Sequence, residues 1–191
     1  MPRSFSETEK EVIRCKLIEE CKKSWSLYGY KKTSVSELCT KVGISTGAFY
    51  SFYDSKEALF CDVMDDFQNH TRRMYDRILS KPPKKEEICQ VLKELYQEYA
   101  ENNIITKRHT PDYISLLNKL PQDWKERHRS NSENNLANTI FAPGVKLKMS
   151  RDKAHRVIDT LLLTVANKET IPDHYEIFCI LLDCAIDEIY E

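Results

Sequence analysis

Between Ser34 and Lys56 the sequence gathers small and hydroxyl-bearing residues: Ser34 and Ser36, then Thr46, Gly47, Ala48, Tyr50 and Ser51, and finally Lys56. Their oxygens can meet phosphates or base edges, and Gly47 and Ala48 let a backbone approach closely. A helix that reads DNA must be short, expose its N-terminal side chains, and be braced so that it enters the major groove at a fixed angle. Residues 34–53 meet these requirements, with Phe49 packing inward and Thr46, Tyr50 and Ser51 pointing away. No Gly-rich phosphate loop, HExxH, GxSxG or paired-carboxylate motif is present, and the scattered Cys and His residues define no dyad, which disfavours an enzyme. The seven cysteines have no CxxC pair and no metal-ligand spacing, so no metal or other cofactor is expected.

The elements that must position these residues are helical. Leu17, Ile18, Cys21 and Trp25 recur at helical spacing over about 8–28, and Gly29 ends that helix. Ser34 with Glu37 has the spacing of a capping box for a two-turn helix whose apolar face is Val35, Leu38 and Val42. After Gly43, Ser45 is placed to cap a third short helix, TGAFYSFY. Asp54 and Ser55 then introduce a long helix that Pro82 and Pro83 stop. Further helices are predicted at about 84–102, 111–119, 122–141, 151–168 and 173–190, and strand signals are nearly absent. The fold class is therefore all-α, an N-terminal three-helix helix-turn-helix domain at 1–55 followed by a helical domain at 56–191.

Over about residues 10–60 the chain resembles the TetR family of transcriptional regulators. The resemblance joins Leu17-Ile18, the Cys21 to Trp25 spacing, Gly29, Thr33, Val42-Gly43-Ile44-Ser45, Gly47, Phe49-Tyr50, Lys56-Glu57 and Leu59 in order. It implies double-stranded operator DNA as partner, with DNA-facing positions at Ser34, Ser36, Thr46, Gly47, Ala48, Tyr50, Ser51 and Lys56. Tyr50 and Lys56 would mainly hold phosphates, and Thr46 and Ser51 would read bases. Where the family usually has Tyr or His then Phe, this chain has Phe52 then Tyr53, and Phe52 could contact a thymine methyl instead.

The resemblance further implies a homodimeric repressor released by a small-molecule inducer, dimerising through its last two long helices and binding the inducer among the helices of 56–141. Val157, Leu161 and Val165 form one apolar stripe there, and Phe178, Leu181, Leu182, Ala185 and Ile189 another, shared between subunits or buried within one. Tyr75, Tyr96, Tyr99, His109, Tyr113, Trp124 and His128 are aromatic or titratable candidates for the pocket, none singled out. An alternative regulator would sense thiol chemistry or a metal, with Lys41 lowering the pKa of Cys39. The 191 residues carry a formal charge of -1, with an excess of two positive charges over residues 1–60. No apolar run is long enough to span a bilayer and the N-terminus lacks the apolar middle of a secretory signal, so a cytoplasmic protein with no membrane partner is expected.

Overall fold

The computed structural model describes residues 5–80, 82–102 and 110–191, except the side chains of 131–137 and 139. All regular elements among them are helices: α1 (Glu7–Tyr28), α2 (Val35–Val42), α3 (Thr46–Phe49), α4 (Lys56–Ile78), α5 (Lys85–Glu101), α6 (Pro111–Lys119), α7 (Gln122–Ile140), α8 (Arg151–Leu163) and α9 (His174–Ile189). A 3₁₀ turn, Thr164–Asn167, continues α8, and one isolated bridge joins Leu147 to Tyr190. No described helix is long and apolar enough to cross a membrane.

The chain forms two compact units. The first contains the described residues up to Phe67 and returns for the stretch from Thr110 to Lys125, which includes α6. The second runs from Gln68 to Asn102 and from Glu126 to the C-terminus. α4 is one unbroken helix that belongs to the first unit up to Phe67 and to the second beyond it.

In the first unit, α1 starts on a capping box in which the Ser6 hydroxyl accepts the Glu9 amide and the Glu9 carboxylate accepts the Ser6 amide. Its apolar stripe of Leu17, Cys21 and Trp25 is buried, with Leu38, Phe49, Leu59, Phe60 and Val63 among the other buried residues of the unit. Trp25 meets Phe60 edge-on at 4.9 Å and lies parallel to Tyr113 of α6 at 6.3 Å, so α6 belongs to the packing of the helix-turn-helix. Trp124, at the start of α7, donates to Asp65 at 3.0 Å. Tyr113 and Trp124, two of the aromatic pocket candidates, are thus spent on this unit.

The second unit buries Ile88, Val91, Leu92, Leu95 and Tyr96 of α5 with Ala154, Ile158 and Leu162 of α8 and Phe178, Leu182, Ile186 and Ile189 of α9. Tyr75 lies in the same core with Tyr99 packed against it, whereas His109 lies outside the described residues. The apolar phase of both last helices differs from the predicted stripes. On α8 the buried line is Ala154, Ile158 and Leu162, continued by Val165, while Val157 and Leu161 lie at its margin. On α9 Leu181 points outward, with Ile177 and Ile180, because the core already takes the face carrying Phe178, Leu182, Ile186 and Ile189. A helix apolar on most of its circumference gives no single phase to read.

Phe178 is nearly fully buried and stacks on Tyr96 with ring centroids 3.8 Å apart. Phe178→Ala is expected to destabilise the protein by about 3–5 kcal/mol, and Leu182→Ala by about 2–5 kcal/mol, through lost burial and the cavity left behind. Denaturant unfolding of the two variants checks this.

Candidate nucleic-acid interface

The candidate DNA-facing edge depends on the turn between α1 and α2. Gly29 closes α1 with φ at +84°, a conformation that a side chain would strain. The next amides, of Tyr30 and Lys31, both donate to the carboxylate of Asp112, at 2.5 and 3.0 Å. A Cβ on Gly29 would lie 2.6 Å from the same carboxylate, so a side chain there would also push Asp112 from the two amides. The carbonyls of the turn are taken as well. Lys56 Nζ donates to the carbonyls of Tyr30 and Thr33 at 2.9 and 3.0 Å, and the buried Thr33 hydroxyl donates to that of Gly29 at 2.8 Å.

Tyr30 stands at the centre of this arrangement, almost wholly buried. Its hydroxyl donates to Glu57, its ring meets Phe60 edge-on, and Lys56 and Lys119 lie 4.2 and 5.4 Å from its centroid. Burial holds the Lys56 pKa below the ordinary lysine value. Burial works against the Glu57 carboxylate too, but the Tyr30 hydroxyl, its own backbone amide and the two lysines outweigh it and leave the pKa lowered.

α2 ends at Gly43 in the left-handed conformation. The capping box expected from Ser34 and Glu37 is not made: Ser34 stands at the N-cap position, but its hydroxyl accepts no helix amide. The entry to α2 is fixed instead by Thr33 and Lys56, which leaves the Ser34 hydroxyl half-exposed. Ser45 does cap α3, accepting the Ala48 amide at 3.0 Å. α3 has only four residues, shorter than the predicted TGAFYSFY. Ser51 donates its hydroxyl to the Ala48 carbonyl at 2.6 Å and its amide to the same oxygen, which tightens the chain into a turn.

The named residues fall on one short stretch of backbone. Phe49 is fully buried and anchors α3, while Ser36, Thr46, Gly47, Tyr50 and Ser51 are exposed and Ser34, Ala48 and Lys56 are half-buried. Tyr50 stands edge-on to Phe49 and is 56% exposed. Phe52 is not available to a thymine methyl: it is buried, with its ring 5.7 Å from that of Phe5. Arg14 lies over the buried ring of Tyr53, so residues preceding and within α1 brace the end of the reading segment.

Cys39 does not have the setting of a reactive thiol. It is buried, burial raises its pKa, and Lys41 lies 3.6 Å from Glu20 instead. Cys21 is pushed up to about 12 by burial. Among the described residues no group of three His, Cys, Asp or Glu side chains converges as a metal site.

Sequence reasoning missed Asp112, Tyr30 and Lys119. Thr110-Pro111-Asp112 reads only as a helix start, and the Thr110 hydroxyl does cap Tyr113. Nothing local announces a partner some eighty residues upstream.

Asp112→Ala leaves two turn amides without their acceptor and is expected to cost about 1–3 kcal/mol, with Asp112→Asn recovering part of the loss. Gly29→Ala should destabilise at least as much, since it adds backbone strain to the clash. Thermal unfolding reads both. Glu57, with its lowered pKa, contributes stability that is fully present above the ordinary carboxylate pKa and lost as pH falls through the lowered value. Glu57→Gln should therefore flatten the acid limb of stability against pH.

Residues 17–63 match the model of the bacterial regulatory proteins of the tetR family. The uncharacterized HTH-type transcriptional regulator YdgC of Bacillus subtilis is 30% identical over 66 residues, which are 35% of this chain and 34% of that protein. The chain thus matches about a third of the length of this curated relative. A TetR family transcription regulator from Marinobacter aquaeolei superposes with a TM-score of 0.71 at 15% identity, covering 97% of this chain and 100% of the other. The regulator FadR of Bacillus subtilis, crystallised with stearoyl-CoA, superposes with a TM-score of 0.68 at 16% identity, covering 92% and 99%. The sequence match to the tetR family lies over the helix-turn-helix, residues 17–63, and the likeness of fold to TetR family regulators runs through both units.

Proposed function

We propose that the protein is a homodimeric transcriptional repressor that binds operator DNA through residues 1–55 and is released by a small-molecule inducer held by residues 56–191. The observation that carries the reading is the exposed edge of α3. Thr46 and Gly47 on α3, and Tyr50 and Ser51 just after it, are exposed while Phe49 clamps the segment from behind, and Ser34 before α2 and Ser36 on it are half-exposed and exposed. In this reading Tyr50 and the third N–H of Lys56 hold phosphates, and Thr46 and Ser51 meet base edges. Lys56 thereby has two duties, because its other two N–H groups hold the turn.

A second copy of this chain is the occupant proposed for the outer face of α9. Ile177, Ile180, Leu181 and Cys184 are exposed at i, i+3, i+4 and i+7, and Leu163 is exposed on α8. Such a stripe on a helix whose opposite face is in the core fits a four-helix interface across a two-fold axis. Dimers of helix-turn-helix proteins read half-sites about one DNA turn apart, which gives that axis a purpose.

The inducer reading rests on the helical second unit and on the fold neighbour FadR, whose crystal structure holds stearoyl-CoA. Inducer and DNA would each favour one placement of the reading heads, so each weakens the other's binding by the same factor. α4 is the covalent link, since it begins at Lys56 and continues into the second unit.

Purified protein should bind DNA from its own promoter region selectively, with affinity falling as salt rises by a slope of about 0.9 per phosphate contact. Tyr50→Ala should weaken binding and leave the unfolding temperature unchanged. Ile180→Glu with Leu181→Glu should yield monomers in sedimentation and lose operator affinity with the fold intact. Selective binding that survives both changes would sink this reading.

A further inference from the structure

The segment from Val42 to Tyr53 contains no guanidinium, ammonium, carboxamide or carboxylate group. Its C-terminal end offers DNA no polar side chain either, since Phe52 is buried against Phe5 and Tyr53 is buried with its hydroxyl enclosed. A cation from α1 stands at that end. The Arg14 guanidinium lies 5.6 Å from the centroid of the Tyr53 ring. Arg14 is exposed, and among the described residues it forms no ion pair and no hydrogen bond. A guanidinium resting on an aromatic face keeps the N–H groups at the rim of its plane free, and their fork fits a phosphate. Lys56, already assigned a phosphate in the reading above, grips the turn just beyond the C-terminal end of α1. From Arg14 to the end of α1 at Tyr28 the helix rises about 20 Å, so no single phosphate can serve both cations.

We propose that Arg14 is a DNA-contacting residue: held over Tyr53, its guanidinium takes a backbone phosphate beside the end of the reading segment, apart from the phosphate that Lys56 meets. Such a contact fixes where the segment lies in the groove without reading a base. Tyr53 is then a positioning residue, its ring aiming a charge that the segment itself lacks. The inference rests on the regulator reading above and adds to it a phosphate contact from α1.

The full-length protein would first select a duplex from a randomised pool. Arg14→Met keeps an unbranched side chain over the ring and removes the charge. Its slope of log affinity against log salt should be shallower by about 0.9 per reading head, with the fold intact by circular dichroism. Arg14→Lys, which keeps the charge, should keep the slope. The selected duplex would also be rebuilt with one uncharged methylphosphonate linkage at a time. One linkage in each half-site should weaken wild-type binding by about two- to fivefold and leave Arg14→Met binding unaltered. If Arg14→Met keeps the wild-type slope, whatever its affinity, Arg14 only covers the ring and the inference is overturned while DNA binding stands. Should Arg14→Met fail to fold, Arg14→Gln carries the same comparison. If the pool yields no selected sequence, the regulator reading itself fails and this inference with it.

Discussion

A polar turn is held between two charged side chains, and the geometry of the first unit follows from it. Tyr30 and Lys31 give their amides to Asp112, and Tyr30 and Thr33 give their carbonyls to Lys56. Backbone groups removed from water must find partners, and a turn has no regular ladder to supply them. Here one carboxylate and one ammonium, contributed by α6 and α4, satisfy four such groups. The exit of α1 and the entry of α2 are thereby fixed, and α3 is positioned through α2. The reading edge has no rigidity of its own, since α3 is only four residues long.

The same node makes α6 part of the first unit, although the sequence alone puts it in the second domain, 56–191. Trp25 stacked on Tyr113 supplies the apolar part of that association, and Asp112 supplies its direction. Any rearrangement of α6 would strip the acceptor from two amides of the turn. That cost falls on the segment which aims α2.

What was legible in the sequence was what short-range rules govern. The helices from α4 onward were read to within a residue or two, except that α8 stops at Leu163 and gives way to the 3₁₀ turn, because prolines, capping hydroxyls and helical periodicity act over a few residues. The helix-turn-helix was legible because Gly29, Gly43 and Ser45 have one conformational role each. The failures have physical causes of a different range. Spacing suggests a cap at Ser34 and cannot show that Lys56 and Thr33 already fix the entry to α2. Nothing local places Phe5 against Phe52, so the sequence alone presents it as a free ring. On α8 and α9 the apolar residues outnumber what one face needs, so the sequence marks both helices as doubly apolar without saying which face meets the core.

The double character of α9 bears on how an edge so poor in charge could hold DNA. The whole chain carries a formal charge of -1, and residues 42–53 carry none. Affinity for DNA comes mostly from phosphate contacts, and the charge of this stretch supplies none. Joining two heads makes the second contact intramolecular and raises the combined affinity without any new group on either. A core-facing stripe of Phe178, Leu182, Ile186 and Ile189 keeps α9 in its own unit, and the outward stripe of Ile177, Ile180, Leu181 and Cys184 stays exposed, the face proposed above for a second copy. On this reading the apolar surplus that obscured the phase of α9 is the means by which two weakly charged heads become a selective pair.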